Sequence, residues 1–251
     1  MNTNMDLALK NPHPRDARIV FDEGPHVYYV DGCSDGYISS TTLIHSFFPP
    51  FDKERVATMT HNKYSNVPGH KYEGMSVQDI IDLWSSNTAA EEGTKLHHDI
   101  EDYINGKDVS NDSPEFGYFL DFRKDFPEYV PYRTEWTIFD DVHKISGSVD
   151  IVFEGKNGGI ILGDWKRSKE IRYSNNYQKG LNGLEHVQDC NFNHYALQLN
   201  LYRTILETYY DQTVEDMFLV VLHPNNDGYI RVPIPRIEED IQTILETRKR
   251  V

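Results

Sequence analysis

One predicted hairpin brings together two carboxylates that could bind a metal ion and a lysine that could act beside it. Residues 145–168 read ISGSVDIVFEGKNGGIILGDWKRS, with two runs rich in β-branched and aromatic residues around a glycine-rich centre, a pattern typical of a β-hairpin. With the turn centred on Asn157, Asp150 lies directly opposite Asp164, and facing residues have Cβ atoms roughly 5 Å apart. Lys166 lies two residues beyond Asp164, so the pleat directs it to the same side.

The chemistry of this hairpin depends on how the two carboxylates are balanced. Two facing carboxylates repel each other, and a divalent cation such as Mg²⁺ or Mn²⁺ between them would remove that repulsion because hard oxygen ligands suit these ions. Lys166 could then hold a water beside the ion as an ammonium, or deprotonate that water as a neutral amine. The alternative is a solvated strand face on which the charges merely balance. A tight turn at Asn157-Gly158 would shift the register by one residue and separate the aspartates.

Two predicted helices carry further polar rows. The first follows the capping-box pattern of residues 88–91 and stops at Asn105-Gly106. Its polar row, at helical spacing, consists of Thr94, His97 and Glu101. The second helix, over about residues 189–210, places Gln198 and Tyr202 on a shared face because residues four apart drift only about 40° around the axis.

The charge distribution is uneven. The chain has 25 Lys and Arg against 40 Asp and Glu, a net charge of −15, which argues against indiscriminate binding to nucleic acid. Residues 164–181 nevertheless hold five cations: Lys166, Arg167, Lys169, Arg172 and Lys179. Tyr173 and Tyr177 lie among them, so this segment predicts a confined site for a polyanion. The alternative is an ordinary polar loop.

Composition limits the class of protein. Two cysteines, Cys33 and Cys190, are too few for a disulfide framework, indicate a reducing compartment and exclude a four-cysteine iron–sulfur cluster within this chain. No apolar run of about 18 residues is present, so no membrane partner is expected. The first residues lack the apolar core of a signal peptide, and Asp6 and Asp16 fit poorly with a mitochondrial transit peptide. The expected location is the cytoplasm or the interior of a host cell.

The predicted elements indicate an α/β (α+β) fold. Residues 1–17 are polar with two prolines and are expected to be disordered. Residues 18–87 predict short strands and helices that pack on a core formed by residues 88–251, giving one compact domain. From residue 88 the predicted order is helix, helix, three strands, helix, two strands and helix, which indicates a central mixed sheet flanked by helices.

Four motifs in this order resemble those of the PD-(D/E)XK nuclease superfamily. They are Gly93-Thr94-Lys95-Leu96-His97, Gly147-Ser148-Val149-Asp150, Asp164-Trp165-Lys166 and Gln198-x-x-x-Tyr202. The closest resemblance is to the RecB-like exonuclease branch, and Asp-Trp-Lys-x-Ser resembles the mitochondrial genome maintenance exonucleases and their viral relatives. The resemblance covers roughly residues 88–223 and implies a restriction-endonuclease-like core with N-terminal additions. Val149-Asp150 replaces the family's Pro-Asp, and Asp164 replaces a glutamate.

The resemblance also implies roles for individual residues. The implied metal ligands are His97, Asp150, Asp164 and the backbone carbonyl of Trp165, with Lys166 positioning or activating the attacking water and Gln198 and Tyr202 orienting the site or the nucleic-acid backbone. His98 adjoins His97 about 100° around the helix, so the choice between them depends on the helix register. Glu101 would fix a ligand or a bound water.

The nearby cations and hydroxyls are candidates for binding nucleic acid. The residues expected to contact it are Arg167, Ser168, Lys169, Arg172 and Tyr173. Together these features predict a DNA exonuclease that uses one or two Mg²⁺ or Mn²⁺ ions on DNA ends or single strands, in replication, recombination or repair. A structure-selective or restriction-type endonuclease, a non-catalytic nucleic-acid-binding protein and an α/β domain with incidental motifs are the alternatives. The oligomeric state is left open.

Overall fold

The structure is a computed structural model that describes residues 6–85 and 88–248. Within these residues the chain forms eight α-helices and eight β-strands. The helices are α1 (Leu7–Lys10), α2 (Ser40–His45), α3 (Lys53–Tyr64), α4 (Val77–Ser85), α5 (Thr88–Ile104), α6 (Pro114–Asp125), α7 (Asn191–Tyr209) and α8 (Glu238–Arg248). The side chain of Thr88, the predicted cap of α5, lies outside the described part. No helix in the described ranges combines the length and the apolar character needed to cross a membrane.

The strands form a small hairpin and a larger mixed sheet. They are β1 (Ile19–Asp22), β2 (Val27–Val30), β3 (Ile38–Ser39), β4 (Pro131–Asp140), β5 (Ile145–Glu154), β6 (Ile160–Lys166), β7 (Val214–Val221) and β8 (Ile230–Pro233). β1 pairs with β2, and the larger sheet has the order β3-β5-β6-β7-β8 with β4 also paired to β5. The β3–β5 and β6–β7 pairs are parallel and the others antiparallel. The predicted class, a central mixed sheet flanked by helices, is confirmed.

The larger sheet divides at β5. β4 pairs along one edge of β5, from Ile145 to Phe153. A strand has only two edges, so β3, which pairs with Ile145 and Ser146, and β6, which pairs with residues 151–154, share the other edge. Residues 147–150 therefore lie in a gap between two diverging neighbours. We call this gap the fork.

Helices cover both faces of the sheet and bury its apolar side chains. One cluster joins the sheet to α2, α7 and α8 and includes Ile44, Val149, Leu162, Leu201, Leu219 and Ile244. The second joins the other face to α5 and α6 and includes Leu96, Phe119, Ile151, Trp165 and Phe218. Burial of these side chains is the main favourable contribution to folding. The fork opens beside both clusters.

The N-terminal segment differs from the prediction. Residues 1–5 lie outside the described part, but residues 6–18, here called the strap, form α1 and a short 3-10 turn and contact β4. Asn11 donates to the carbonyl of Tyr132 at 2.7 Å, and Asp16 pairs with Arg133 at 2.8 Å. The prediction of disorder was therefore wrong for residues 6–17. Their polar composition serves buried polar groups on β4 rather than solvent.

The domain boundaries also differ from those predicted. The chain divides into two compact units, one comprising Met1–Pro49 with Leu96–Val251 and the other Pro50–Lys95. The strands β1 to β3 and helix α2 thus belong to the larger unit, because β1 contacts β4, β3 pairs with β5 and α2 packs on α7. Within the smaller unit, Tyr64 stacks on His70 with ring centroids 4.2 Å apart, and Trp84 donates to the hydroxyl of Tyr72 at 3.0 Å.

Candidate active site

The β5–β6 register brings the two motif aspartates together. Ile151 faces Gly163 and Glu154 faces Ile160, which is the register of a turn centred on Asn157. The next position after the Ile151–Gly163 pair is Asp150 opposite Asp164. Glu215 on β7 holds the turn, because its carboxylate accepts the backbone N–H groups of Lys156, Asn157 and Gly159 at 2.9–3.0 Å. Those hydrogen bonds lower the pKa of Glu215. The ionised carboxylate on β7 therefore holds the turn between β5 and β6 in place.

At the fork, Asp150 connects β6 to α5. Its Oδ2 accepts the backbone N–H of Trp165 at 3.0 Å, so a side chain takes the place of a strand carbonyl there. The same oxygen lies 3.4 Å from Nδ1 of His97. His98, which adjoins it on α5, points instead toward Asp102, at 3.5 Å. The helix register therefore presents His97 to Asp150.

Asp164 and Lys166 form a buried ion pair. The carboxylate and ammonium are 2.7 Å apart, with 3% and 18% of their side chains exposed. Burial and the Asp150 carboxylate raise the pKa of Asp164 to about 6, against the opposing effect of Lys166. Burial favours the neutral amine of Lys166, but Asp164 and Asp150 more than offset this, and its pKa lies above the ordinary value. Lys166 is thus a cation beside two acids, and its ammonium lies 4.8 Å from the Tyr195 ring centroid.

Glu135 on β4 is a further carboxylate at this point, and sequence analysis missed it. Ligand atoms of His97, Glu135 and Asp150 all lie within 4.8 Å of one another. The hydroxyl of Ser148 donates to Glu135 at 2.9 Å. Burial and then the Asp150 charge raise the pKa of Glu135 to about 8. A β4–β5 turn centred between Val142 and His143, which is the centre of the observed pairs Trp136–Val149 and Asp140–Ile145, would have placed Glu135 opposite Asp150. That register is the signal that could have found it.

The backbone at Glu135 interrupts the strand. Its φ is 42°, a left-handed conformation that costs non-glycine residues about 1–3 kcal/mol. The pairs on either side are Thr134–Ile151 and Trp136–Val149. Val149 packs in the cluster under α7, whereas Ile151 packs in the cluster under α5 and α6. The alternation of side chains therefore slips at Glu135 and Asp150, which directs both carboxylates into the fork.

Tyr202 and Gln198 of α7 lie where the motif glycine leaves room. A Cβ on Gly147 would lie 2.5 Å from the Tyr202 ring and 2.9 Å from the hydroxyl of Ser40. Gln198 donates to the Tyr202 hydroxyl at 2.9 Å and to the Thr41 hydroxyl at 3.3 Å. Burial raises the pKa of Tyr202 well above its ordinary value, so this phenol stays neutral and can donate a hydrogen bond.

Two other predicted residues contribute less directly. The side chain of Trp165 packs between Phe119 and Phe122 on the opposite face, so only its backbone faces the fork, and the contact there is made by its N–H. The ligand role expected for its carbonyl stays a prediction. Glu101 lies one turn after His97 on α5, half-buried, and burial raises the pKa of its carboxyl. It is not part of the cluster formed by His97, Glu135 and Asp150.

The residues predicted to bind nucleic acid divide into two groups. Arg167 lies against Glu115 of α6 at 2.8 Å, with 14% and 8% of their side chains exposed; contrary to expectation, it ties β6 to α6. The reason is strand alternation, which turns Arg167 away from the side that Lys166 occupies. Lys169 and Arg172 are exposed, although Arg172 pairs with Glu170 at 2.6 Å.

Beyond β6 the chain lines an open cavity of about 650 Å³. Ser168, Lys169 and Arg172 contribute to its wall, together with Tyr177, whose side chain is 97% exposed. The hydroxyl of Ser168 donates a hydrogen bond to the carbonyl of Glu170, so its oxygen can still accept a hydrogen bond. Tyr173 is also exposed but lies outside this wall, with its ring 4.7 Å from that of Phe192.

A divalent cation fits the groups at the fork. The set combines an imidazole nitrogen with the carboxylates of Glu135 and Asp150, and Asp164 adds a third acid whose pKa is raised by burial and then by the Asp150 charge. Such mutual repulsion is what a bound cation relieves. The carboxylate oxygens suit Mg²⁺ or Mn²⁺, and an imidazole nitrogen is a ligand that transition metals accept more readily than Mg²⁺ does.

Comparisons with known proteins give no functional relative. No protein-family model matches the chain, and no curated protein matches it. Among solved structures, the crystal structure of SSO0001 is similar with 16% sequence identity and a TM-score of 0.37, over 86% of this chain and 76% of that one. A likeness of this degree identifies neither a family nor a function.

Proposed function

We propose that this protein is a Mg²⁺- or Mn²⁺-dependent deoxyribonuclease of the PD-(D/E)XK superfamily that acts as an exonuclease on DNA ends or single strands. The observation that carries the proposal is the convergence of His97, Asp150, Asp164 and Lys166 at the fork. These side chains come from α5, β5 and β6, and three of the four motifs that suggest the superfamily supply them. A solvated strand face would leave such groups exposed, whereas Asp164 is buried.

The proposed cation would be held by His97, Asp150 and Asp164. When bound, it would polarise the scissile phosphate and lower the pKa of a coordinated water. The N–H of Trp165 holds Oδ2 of Asp150 in place at 3.0 Å, so the carboxylate needs little rearrangement. Ligands that are positioned in advance in this way lose little free energy on binding.

Lys166 has a distinct role in the proposed reaction. Its raised pKa makes it an ammonium at neutral pH, so it orients the attacking water and offsets charge on the phosphate rather than removing a proton. Tyr202 is neutral and receives a hydrogen bond from Gln198, which leaves the phenol proton available for a phosphate oxygen. Both groups would act on the nucleic-acid backbone rather than on base edges, so little sequence selectivity is expected.

Charge supports a strand-restricted substrate. The net charge of −15 repels DNA from most of the surface, while Lys169 and Arg172 line the cavity directly after β6. A single strand carries exposed bases that can stack on an aromatic ring, and Tyr177 offers a fully accessible one. The cavity is therefore the proposed path of the strand next to the cleavage site.

The test is digestion of 5′- and 3′-labelled single- and double-stranded DNA with Mg²⁺ or Mn²⁺, with and without chelator. Asp164→Asn and Lys166→Gln are each expected to lower the rate about 100-fold or more. Lys156→Gln, at the exposed turn at the other end of the hairpin, is the matched control and should cleave normally.

The outcomes separate the alternatives. An exonuclease degrades linear DNA and leaves covalently closed circles intact, whereas cutting of circles would indicate an endonuclease on the same fold. Binding of labelled strands without metal-dependent cleavage would indicate a non-catalytic binding protein. Unchanged cleavage by Asp164→Asn and Lys166→Gln would refute the proposed chemistry.

A further inference from the structure

Glu135 forms a compact set with two of the predicted metal ligands, and the third predicted side-chain ligand, Asp164, is not part of that set. The Glu135 carboxylate, the imidazole of His97 and the carboxylate of Asp150 form a set of ligand atoms within 4.8 Å of one another. Asp164, the second acid of the motif pattern, instead contacts the ammonium of Lys166 at 2.7 Å. A carboxylate from β4 thus occupies a position that the four motifs do not account for.

The position of Glu135 is determined by its strand neighbours. Arg133 is buried and donates through Nη1 to the Asp16 carboxylate at 2.8 Å, and Trp136 donates through Nε1 to the other oxygen of Asp16 at 2.9 Å. Asp16 therefore bridges the residues on both sides of the left-handed position. On β5, the hydroxyl of Ser148 donates a hydrogen bond to the Glu135 carboxylate at 2.9 Å and fixes the orientation of that side chain.

The strap reinforces this bridge at two further points. The carbonyl of Asn11 accepts a hydrogen bond from Arg133 at 2.8 Å. Asn105, at the end of α5, donates to the Thr134 hydroxyl at 2.9 Å and accepts the backbone N–H of Leu7 at 3.0 Å. The strap, β4 and the helix that carries His97 are in this way joined around Glu135.

We propose that Glu135 is a ligand of the cation at the fork, and that the strap is its positioning device, acting through Asp16. This inference rests on the proposed function only for what the cation does, which is to assist DNA cleavage. The ligand geometry itself requires no DNA. Asp16 touches neither the ligands nor the fork, so its effect on the cation passes through Arg133, Trp136 and the backbone of Glu135.

The test is titration of the DNA-free protein with Mn²⁺, followed by electron paramagnetic resonance or calorimetry. Glu135→Gln keeps the shape of the side chain and should weaken Mn²⁺ binding about tenfold or more. Asp16→Asn removes one of two acceptor oxygens and should weaken it about tenfold, at the lower end of the roughly 10- to 100-fold range typical of groups that orient ligands. Ser148→Ala provides a second variant that keeps the Glu135 side chain and should also weaken binding.

Arg18→Gln is the matched control within the strap. Its guanidinium pairs with Asp31 and Asp141 and touches none of the groups that flank Glu135, so Mn²⁺ affinity should stay within about twofold of the wild type. Affinities are compared at a temperature where every variant is folded by circular dichroism. A purely structural role for Asp16 would lower the unfolding temperature and leave the affinity of the folded protein unchanged.

Each result decides one part of the proposal. Wild-type affinity in Glu135→Gln would overturn the ligand assignment, and wild-type affinity in Asp16→Asn would overturn the role of the strap. Because no DNA is present, failure of the nuclease proposal would appear separately, as tight Mn²⁺ binding through Glu135 without DNA cleavage. The reverse result, cleavage by the wild type with normal Mn²⁺ binding in Glu135→Gln, would leave the nuclease standing and remove this inference.

Discussion

The carboxylates of Glu135 and Asp164 are held in the folded chain where their charged forms are unfavourable. Burial raises the pKa of Glu135 to about 8 and that of Asp164 to about 6, in both cases with help from Asp150. In the unfolded chain these groups regain their ordinary pKa values of 4.5 and 3.8. The unfolded chain therefore releases these protons at lower pH than the folded one does.

This difference predicts that the metal-free protein loses stability as pH rises. From pH 4.5 to about 8 the folded state keeps the Glu135 proton that the unfolded state has lost, so the free energy of unfolding falls with pH across this window. Glu135→Gln should remove this contribution and be more stable than the wild type near pH 8. Urea unfolding in chelator at pH 5 and pH 8 measures the effect.

Glu215 is a control for this prediction, because its pKa shift, and therefore its effect on the pH dependence of stability, has the opposite sign. Hydrogen bonds from backbone N–H groups lower its pKa, so its contribution to stability is present above its ordinary pKa and is lost as the pH falls. Glu215→Gln should therefore reduce stability at neutral pH and matter less in acid. A Glu135→Gln protein with the same pH profile as the wild type would contradict the electrostatic account.

Gly147 predicts a second effect at the scale of one residue. An added methyl would meet the Tyr202 ring and the Ser40 hydroxyl at distances no real contact allows, so Gly147→Ala should cost about 1–3 kcal/mol of stability and reduce DNA cleavage. Gly117 on α6 has nothing within 4 Å of the same position, and Gly117→Ala should stabilise the protein by about 0.5–1 kcal/mol. Urea unfolding and cleavage assays of both variants make the comparison; equal effects would show that Tyr202 moves freely.

Between elements, the pair of Arg167 and Glu115 connects the end of β6 to α6. Because both side chains are almost fully buried, Glu115→Ala removes the carboxylate that pairs with a buried guanidinium and should destabilise the protein by about 1–3 kcal/mol. Glu170→Ala, which breaks the exposed pair with Arg172, should cost less than about 1 kcal/mol. Chemical denaturation gives both values. Similar values for the two variants would mean that the Arg167 site is open to solvent.

The elements around the fork differ in how readily the sequence reveals them. The β5–β6 hairpin and its register follow from local information, since the glycine-rich turn and the apolar runs are adjacent in the chain. α5 and α7 follow from their periodicity. The left-handed backbone at Glu135 could not be predicted, because the groups that hold the nearby Arg133, the Asp16 carboxylate and the Asn11 carbonyl, belong to the distant strap. The strap was missed for the same reason, since its polar residues have partners only once β4 is in place.

For the whole molecule, the contrast between a net charge of −15 and the cations after β6 predicts how binding responds to salt. Each phosphate neutralised on a single strand contributes about 0.7 to the slope of log affinity against log salt. Replacing both Lys169 and Arg172 by glutamate should lower the magnitude of the slope by about 0.7 per cation and weaken binding, measured by fluorescence anisotropy in chelator. Lys156→Glu, a charge reversal at the far end of the hairpin, should leave the slope unchanged. A slope unaffected by the double variant would place the strand elsewhere.

The fork at β5 also bears on when the chain becomes active during folding. β4, β5 and β6 are consecutive in sequence and can assemble early, whereas β3 and α2 reach β5 from a distant part of the chain and close it late. For the proposed nuclease, this order means that a newly made chain would acquire its sheet before its ability to cut, and would remain harmless to nearby nucleic acid until assembly is finished. In refolding experiments, regain of cleavage should lag behind regain of the circular dichroism signal.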